Sequence, residues 1–281
     1  MRQSITLTAA EFVALAALLG ETAPVTVGAP IDALPSADRV DALTAATRSL
    51  VERGIAVPVA GDRPRIPVAA ARLVQIVCRP AMVTEIHRGR GPHWEPVPDR
   101  VASVPEASVC QVAEDGAFRF TPVTTADLLL CIADRGGLTA AAAPAAPGAT
   151  LPLGALRAAV SAAAGGPEAA VSSLRGAGTP DGTAVAAGTA LAKGARVAVR
   201  VVLRGPGTRS TGGEVAWVRG DEGYWLIPPV LTPVAGPPGA APLPASVDDL
   251  TARLTPASGE EIVAAVAACL PGHRGALAHS D

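Results

Sequence analysis

Residues Arg196 to Arg204 read RVAVRVVLR, an alternating run that lays Val197, Val199, Val201 and Leu203 on one face of a β-strand. A strand of this kind needs sheet neighbours, and the turn signals nearby say how they are supplied. Asp115-Gly116 separates the β-like runs Ser108–Val112 and Ala117–Pro122, a strong signal for a two-residue hairpin. Gly220-Asp221 to Gly223 sits in the same way between Glu214–Arg219 and Tyr224–Ile227. Met82–Ile86 is a further β-like run. The strands therefore belong to antiparallel meanders.

Helices alternate with these meanders. Ser4–Leu7 reads as a short strand, and Thr8-Ala9-Ala10-Glu11 then matches a capping box. The helix it opens places Phe12, Leu15, Ala16 and Leu19 on one face and stops at Gly20. Val25–Ala29 reads as a second short strand. A helix from about Pro35 to Arg53 carries the stripe Val40, Leu43, Ala46, Thr47, Leu50 and Val51. Further helices are predicted over Val68–Val77, from Thr124 to about Ala133, and over Glu260–Leu270. Residues Pro152 to about Lys193 are helical in pattern, broken at Gly165-Gly166-Pro167 and around Gly176 to Gly182. Ser246, with Asp249 three residues on, reads as the cap of one more helix.

Residues 139–150 (TAAAAPAAPGAT) are small and uncharged, a composition that suits a linker between halves 1–138 and 151–281. Each half runs helices, then a meander, then a capped helix. The segments TPVTTADLLLCIAD and PLPASVDDLTARL look alike in those positions. The expected fold is α+β, with two pseudo-two-fold-related halves, each an antiparallel meander flanked by helices.

The core available to such a fold is unusual. Apolar residues make up 49% of the 281 residues, but aromatics only 2%. Packing must rest on Ala, Val and Leu. A net charge of −2 gives no global basic field for nucleic acid or anionic lipid. Cys78, Cys110, Cys131 and Cys269 are widely spaced, as buried thiols in a reducing compartment would be. The apolar stretch Ala9–Leu19 is interrupted by Glu11 and lacks a basic start. The uncharged stretch Gly223–Val247 holds seven prolines, which cannot run as a spanning helix. The reading is a soluble, cytoplasmic protein without membrane insertion.

Catalytic signatures are missing: there is no GxSxG, HExxH or GxGxxG. GTALAK (Gly188–Lys193) lacks the second Gly and the Ser or Thr of a phosphate loop. His87 and His93, near Glu85 and Glu95, flank a turn-like RGRGP and do not make a metal set. No catalytic residue, metal or cofactor is expected, and no enzyme. One motif supports an alternative, a winged-helix-type DNA-binding regulator. A helix ending LVERGI before a short hairpin would offer Arg48, Arg53, Arg63 and Arg65 to phosphates. Asp38, Asp41, Glu52 and Asp62 oppose that reading. The scarce large residues fall elsewhere. Trp94 lies among arginines in His87–Arg100 (HRGRGPHWEPVPDR), a make-up common in protein–protein contacts. Trp217 and Trp225 flank a turn, a placement open to two readings, a cross-strand pair or, for Trp225 above all, part of the sheet's core.

The order of these elements resembles the EspG family of type VII (ESX) secretion-associated chaperones. The resemblance runs through LTAAEFVALAALLG, LVERGI, CRPAMVTEIH, GAFRFTPVTTADLLLCIAD, LPLGALRAAVSAA and GGEVAWVRGDEGYWLIPPV followed by SVDDLTARL. It implies a single compact EspG-like domain and a cytoplasmic binding protein with no active site. The resemblance further implies clients that are helical, secreted, PE–PPE-like proteins, kept soluble and targeted for export. The contact would use a hairpin loop, here Arg88, Arg90, His93, Trp94 and Arg100, and a helical bundle, here near Leu153, Leu156 and Val160. No nucleic-acid partner is implied, and the chain is expected as a monomer or weak homodimer. The chain departs from the family in its poverty of aromatics.

Overall fold

The computed structural model describes residues 4–60, 62–90, 93–205, 208–227 and 250–271. In chain order its elements are β1 (Ile5–Thr8), α1 (Ala9–Leu18), α2 (Val25–Asp32), α3 (Ser36–Glu52), β2 (Val57–Val59), β3 (Asp62–Arg65) and α4 (Val68–Cys78). Then come β4 (Met82–Arg90), β5 (His93–Trp94), β6 (Asp99–Val104), β7 (Ala107–Glu114), β8 (Ala117–Val123) and α5 (Leu128–Arg135). The remainder is β9 (Ala149–Pro152), α6 (Leu153–Ala162), α7 (Pro167–Gly176), α8 (Asp181–Lys193), β10 (Ala195–Gly205), β11 (Thr208–Arg219), β12 (Tyr224–Ile227), β13 (Thr251–Ala257) and α9 (Gly259–Cys269). The architecture is α+β with antiparallel meanders flanked by helices, as the sequence indicates.

Two units emerge, and neither is contiguous in sequence. One comprises residues 1–84, 97–131 and 202–210; the other comprises 85–96, 132–201 and 211–281. The division differs from contiguous halves because β4 and β10 each contribute residues to both units.

The first unit has the strand order β1–β8–β7–β6–β4, with β1, β8, β7 and β6 paired antiparallel. Asp115 and Gly116 make the β7–β8 turn with φ of 48° and 78°, the left-handed pair that a two-residue hairpin of matching twist requires. All three phenylalanines of the chain serve this core: Phe12 of α1 stacks on Phe120 at 4.9 Å, and Phe118 lies 6.4 Å from Phe120.

The capping box at Thr8 forms as read, and its Glu11 does more than cap. The carboxylate accepts from the Thr8 N–H at 2.8 Å, the Ser49 hydroxyl at 2.7 Å and Arg53 at 2.7 and 2.8 Å. Arg53 also donates to the Thr6 carbonyl at 2.6 Å. One buried acid thereby ties β1, α1 and the end of α3 together. Burial raises the Glu11 pKa, but the bonds from Arg53, Thr8 and Ser49 and the charge of Arg53 outweigh it and hold the carboxyl below its ordinary value.

The second unit has the strand order β10–β11–β12–β13–β9. Helices α6, α7 and α8 pack with this sheet around a core that includes Leu156, Leu174, Leu191, Val218 and Trp225. Contact between α7 and α8 is close. A Cβ on Gly188 would lie 2.8 to 3.0 Å from the Cγ2, N and Cα of Val171.

Three local readings change. Residues 25–32 form a helix, not a strand, because the packed residues Val27, Gly28 and Ile31 follow helical spacing while Val25 is 78% exposed. Residues 251–257 form a strand, not the body of a capped helix. Ala252 and Leu254 alternate inward there, while the cap Ser246 and Asp249 lie outside the described residues. Within the described residues of the two look-alike segments, 128–134 lie in α5 and 251–254 in β13. Residues 139–150 are docked within the second unit rather than linking two halves. Tyr224 Oη accepts from the Thr139 N–H at 2.8 Å, Thr183 donates to the Pro147 carbonyl at 2.8 Å, and the Gly259 N–H donates to the Ala141 carbonyl at 2.9 Å.

These contacts make three predictions. Gly188→Ala raises helix propensity yet is expected to destabilise the fold by about 1–3 kcal/mol, because the methyl meets backbone. Chemical denaturation measures it, and a stabilised variant would contradict the packing. Arg53→Ala is expected to cost about 2 kcal/mol by leaving the buried Glu11 carboxylate short of donors. Because the Glu11 pKa is depressed on folding, its contribution is present above the unfolded carboxyl pKa and lost as pH falls through the folded value. The stability gap between the native chain and Glu11→Gln should therefore close in acid, and a gap that is constant from neutral pH to pH 3 would contradict it.

Candidate functional site

The end of β4 and the short β5 form a hairpin, with Gly89 opposite Trp94 and Arg90 opposite His93. Every arginine expected to rim it is already engaged. Arg88 donates from Nε and Nη2 to Glu95 at 3.1 and 3.0 Å, and the Glu95 N–H donates to the Arg88 carbonyl at 2.7 Å. Arg90 donates to the Lys193 carbonyl at 3.2 Å, putting a cation at the C-terminal end of α8, where the helix dipole favours it. Arg100 belongs to the first unit, is 7% exposed and donates to Thr26 Oγ1 at 2.7 Å. Arg100 is thus a buried structural cation rather than a rim charge.

Trp94 is half-buried, with its indole against the helical core of the second unit. Gly89 allows this. A Cβ there would lie 2.4 Å from the His93 carbonyl oxygen and 3.1 Å from the Trp94 ring. The ring also meets a residue the sequence did not single out. The Arg196 guanidinium lies over Trp94 at 5.0 Å from the ring centroid. Arg196 sits in the alternating run of β10 beside the apolar set and reads there as a solvent-facing position. The structure buries both faces of β10 at this point. The only sequence trace of this is Ala198 between Arg196 and Arg200, a small residue on the nominally polar face.

The bundle positions lie elsewhere. Leu153 and Leu156 are core residues of α6, and Val160 packs half-buried against the same cluster. Leu153 and Leu156 stabilise the bundle and present no surface. His93 is exposed at the hairpin tip. Trp217 and Trp225 do not pair across the strands. Trp217 stands opposite Leu226 and Val218 opposite Trp225, so the two indoles occupy opposite faces. Trp225 joins the helical core, while Trp217 lies against Gly136.

The DNA-contact reading loses its central residue, since Arg53 is held by Glu11 and the Thr6 carbonyl. Among the described residues, no group of three His, Cys, Asp or Glu side chains is placed to hold a metal ion. No helix among them is long and apolar enough to cross a membrane. No disulfide joins the four cysteines, and burial, reinforced by the charge of Glu21, pushes the Cys78 thiol up to about 12.

No known protein family matches the sequence, and no curated protein matches it. The fold does have a solved counterpart. It is similar to the Mycobacterium tuberculosis type VII secretion system chaperone EspG5, solved in complex with the PE25–PPE41 dimer. The TM-score is 0.64 at 17% sequence identity, over 96% of this chain and 98% of that one. The chain has an EspG-like fold.

Trp217 and Trp225 are each 1% exposed, so collisional quenching of tryptophan emission reports mainly on Trp94. Gly89→Ala should displace the Trp94 ring and increase acrylamide quenching. Quenching equal to that of the native chain would contradict the packing described.

Proposed function

We propose that this chain is a chaperone-like binding protein of a type VII secretion pathway, engaging helical PE–PPE-like substrates before export. The observation that carries the reading is the fold correspondence across nearly the full length of both chains. It acts by binding, in the cytoplasm, with no catalytic step or cofactor. A client with an apolar helical tip needs a complementary apolar anchor within a polar border, and a contact weak enough to release.

The hairpin of the second unit suits that task. Trp94 is a large side chain partly open to solvent, positioned by Gly89 and backed by Arg196. Arg88 and Glu95 brace each other, so the hairpin meets a partner with little ordering left to do. His93, Glu95 and Pro96 are exposed around it.

The test is co-expression of the tagged chain with PE–PPE pairs from its own genome, followed by size-exclusion chromatography and titration. A stoichiometric complex is expected with at least one pair. Trp94→Ala should weaken it by about 2 kcal/mol, roughly thirtyfold, while far-UV circular dichroism stays unchanged. Full affinity in that variant would move the contact away from the hairpin, and no complex with any pair would overturn the reading.

A further inference from the structure

Helix α3 is the longest among the described residues, 17 residues from Ser36 to Glu52, yet only Ala46 and Leu50 of it are buried. Those two join the core of the first unit, with Leu43 and Val51 packed partly against it. The opposite face carries Ala37, Asp41, Thr44 and Arg48, all exposed. They are spaced four, three and four residues apart, so they form one line along the helix. Val40, 63% exposed, flanks that line. Neither the Asp41 carboxylate nor the Arg48 guanidinium has a partner among the described residues. At the C-terminal end of α3, Gly54 (φ 69°) turns the chain into the β2–β3 hairpin. Every β2 side chain is exposed, Val57 at 41% and Val59 at 43%. Pro58 and Pro64 take N–H donors out of this hairpin, which suits it to side-chain contact rather than to recruiting another strand.

An unpartnered helix face names its occupant only where its chemistry selects one, and this face is complementary to itself. Asp41 and Arg48 stand at equal distances on either side of the midpoint between Thr44 and Ala45. A two-fold axis through that midpoint runs two copies of α3 antiparallel and sets each Asp41 against the other copy's Arg48, twice over. Thr44 and Ala45, small residues at the crossing, let the helices approach. The same operation carries each β2–β3 hairpin to the Val40 end of the other copy's α3. Apolar surface exposed in one chain then covers apolar surface exposed in the other. Asp38 and Glu52 lie at the rim of the face, where water and salt screen them. We infer that α3 and the β2–β3 hairpin form the interface of a two-fold homodimer. One helix and one hairpin from each copy make a contact at the small end of the specific class, about 1,200 Å² in total, so the dimer is weak and reversible. The inference is independent of the client and of the Trp94 hairpin, which belongs to the second unit.

Sedimentation velocity on the full chain, from about 1 μM to about 500 μM, is the test. The average mass is expected to rise with concentration and level off at that of two chains. Asp41→Arg and Arg48→Asp each turn two attractive contacts into two repulsive ones, because the two-fold repeats every change. Each single variant should weaken association about tenfold, and the double variant should return it to within about threefold of the native chain. Both side chains are exposed, so melting temperature and far-UV circular dichroism should keep native values in all three variants. A native chain that stays monomeric over the whole range would overturn the inference. So would a mass that grows past two chains, because a two-fold contact closes on itself. Association unaffected by either charge reversal would place the interface elsewhere. A double variant that loses as much as the two single variants together would show that the two charges do not face each other, and would overturn the inference as well.

Discussion

Close approach between small residues is the constraint on which this structure depends. With aromatics at 2% of the sequence, the chain cannot fill space with large side chains, so its elements must come nearer to one another. Gly188 of α8 meets the backbone of Val171 in α7, and Gly136 meets the Trp217 ring. The few rings are then placed where closeness is not enough. Phe12 and Phe120 stack in one unit, and Trp217 and Trp225 fill opposite faces of one hairpin in the other. Tight packing of this kind leaves little tolerance for an added methyl.

Arginine is the second organising residue, and its work is mostly internal. Arg53 closes the Glu11 cluster, Arg90 caps α8, Arg88 braces the hairpin and Arg100 reaches Thr26. Each of these guanidiniums meets an acceptor, as buried or half-buried charges must. Arg196 departs from that rule, and it does so beside the half-exposed Trp94.

Much of the architecture was legible in the sequence. Glu11 in its capping box, the Asp115-Gly116 turn and the alternation of β10 are local signals, and each element formed where its signal lies. The failures share a cause: the deciding contacts are distant in sequence. Val25–Asp32 is helical because Val27 and Ile31 pack inward, and β13 is a strand because β12 and β9 flank it. Residues 139–150 have a linker's composition, but Tyr224, Thr183 and Gly259 bind them. At the candidate site, Trp94 stood out by its rarity. Arg196 did not, because alternation predicts a solvent-facing side chain and says nothing of the ring that covers it.

The central claim is that the Trp94 hairpin is the surface on which this EspG-like fold meets its partner. Hydrogen exchange followed by mass spectrometry, on the chain alone and with a co-purified PE–PPE pair, tests it most directly. The account predicts slower exchange across residues 88–95 in the complex, with the amides of the buried strands β7 and β8 unchanged. Protection confined to other regions, with the hairpin exchanging as it does in the free chain, would contradict it.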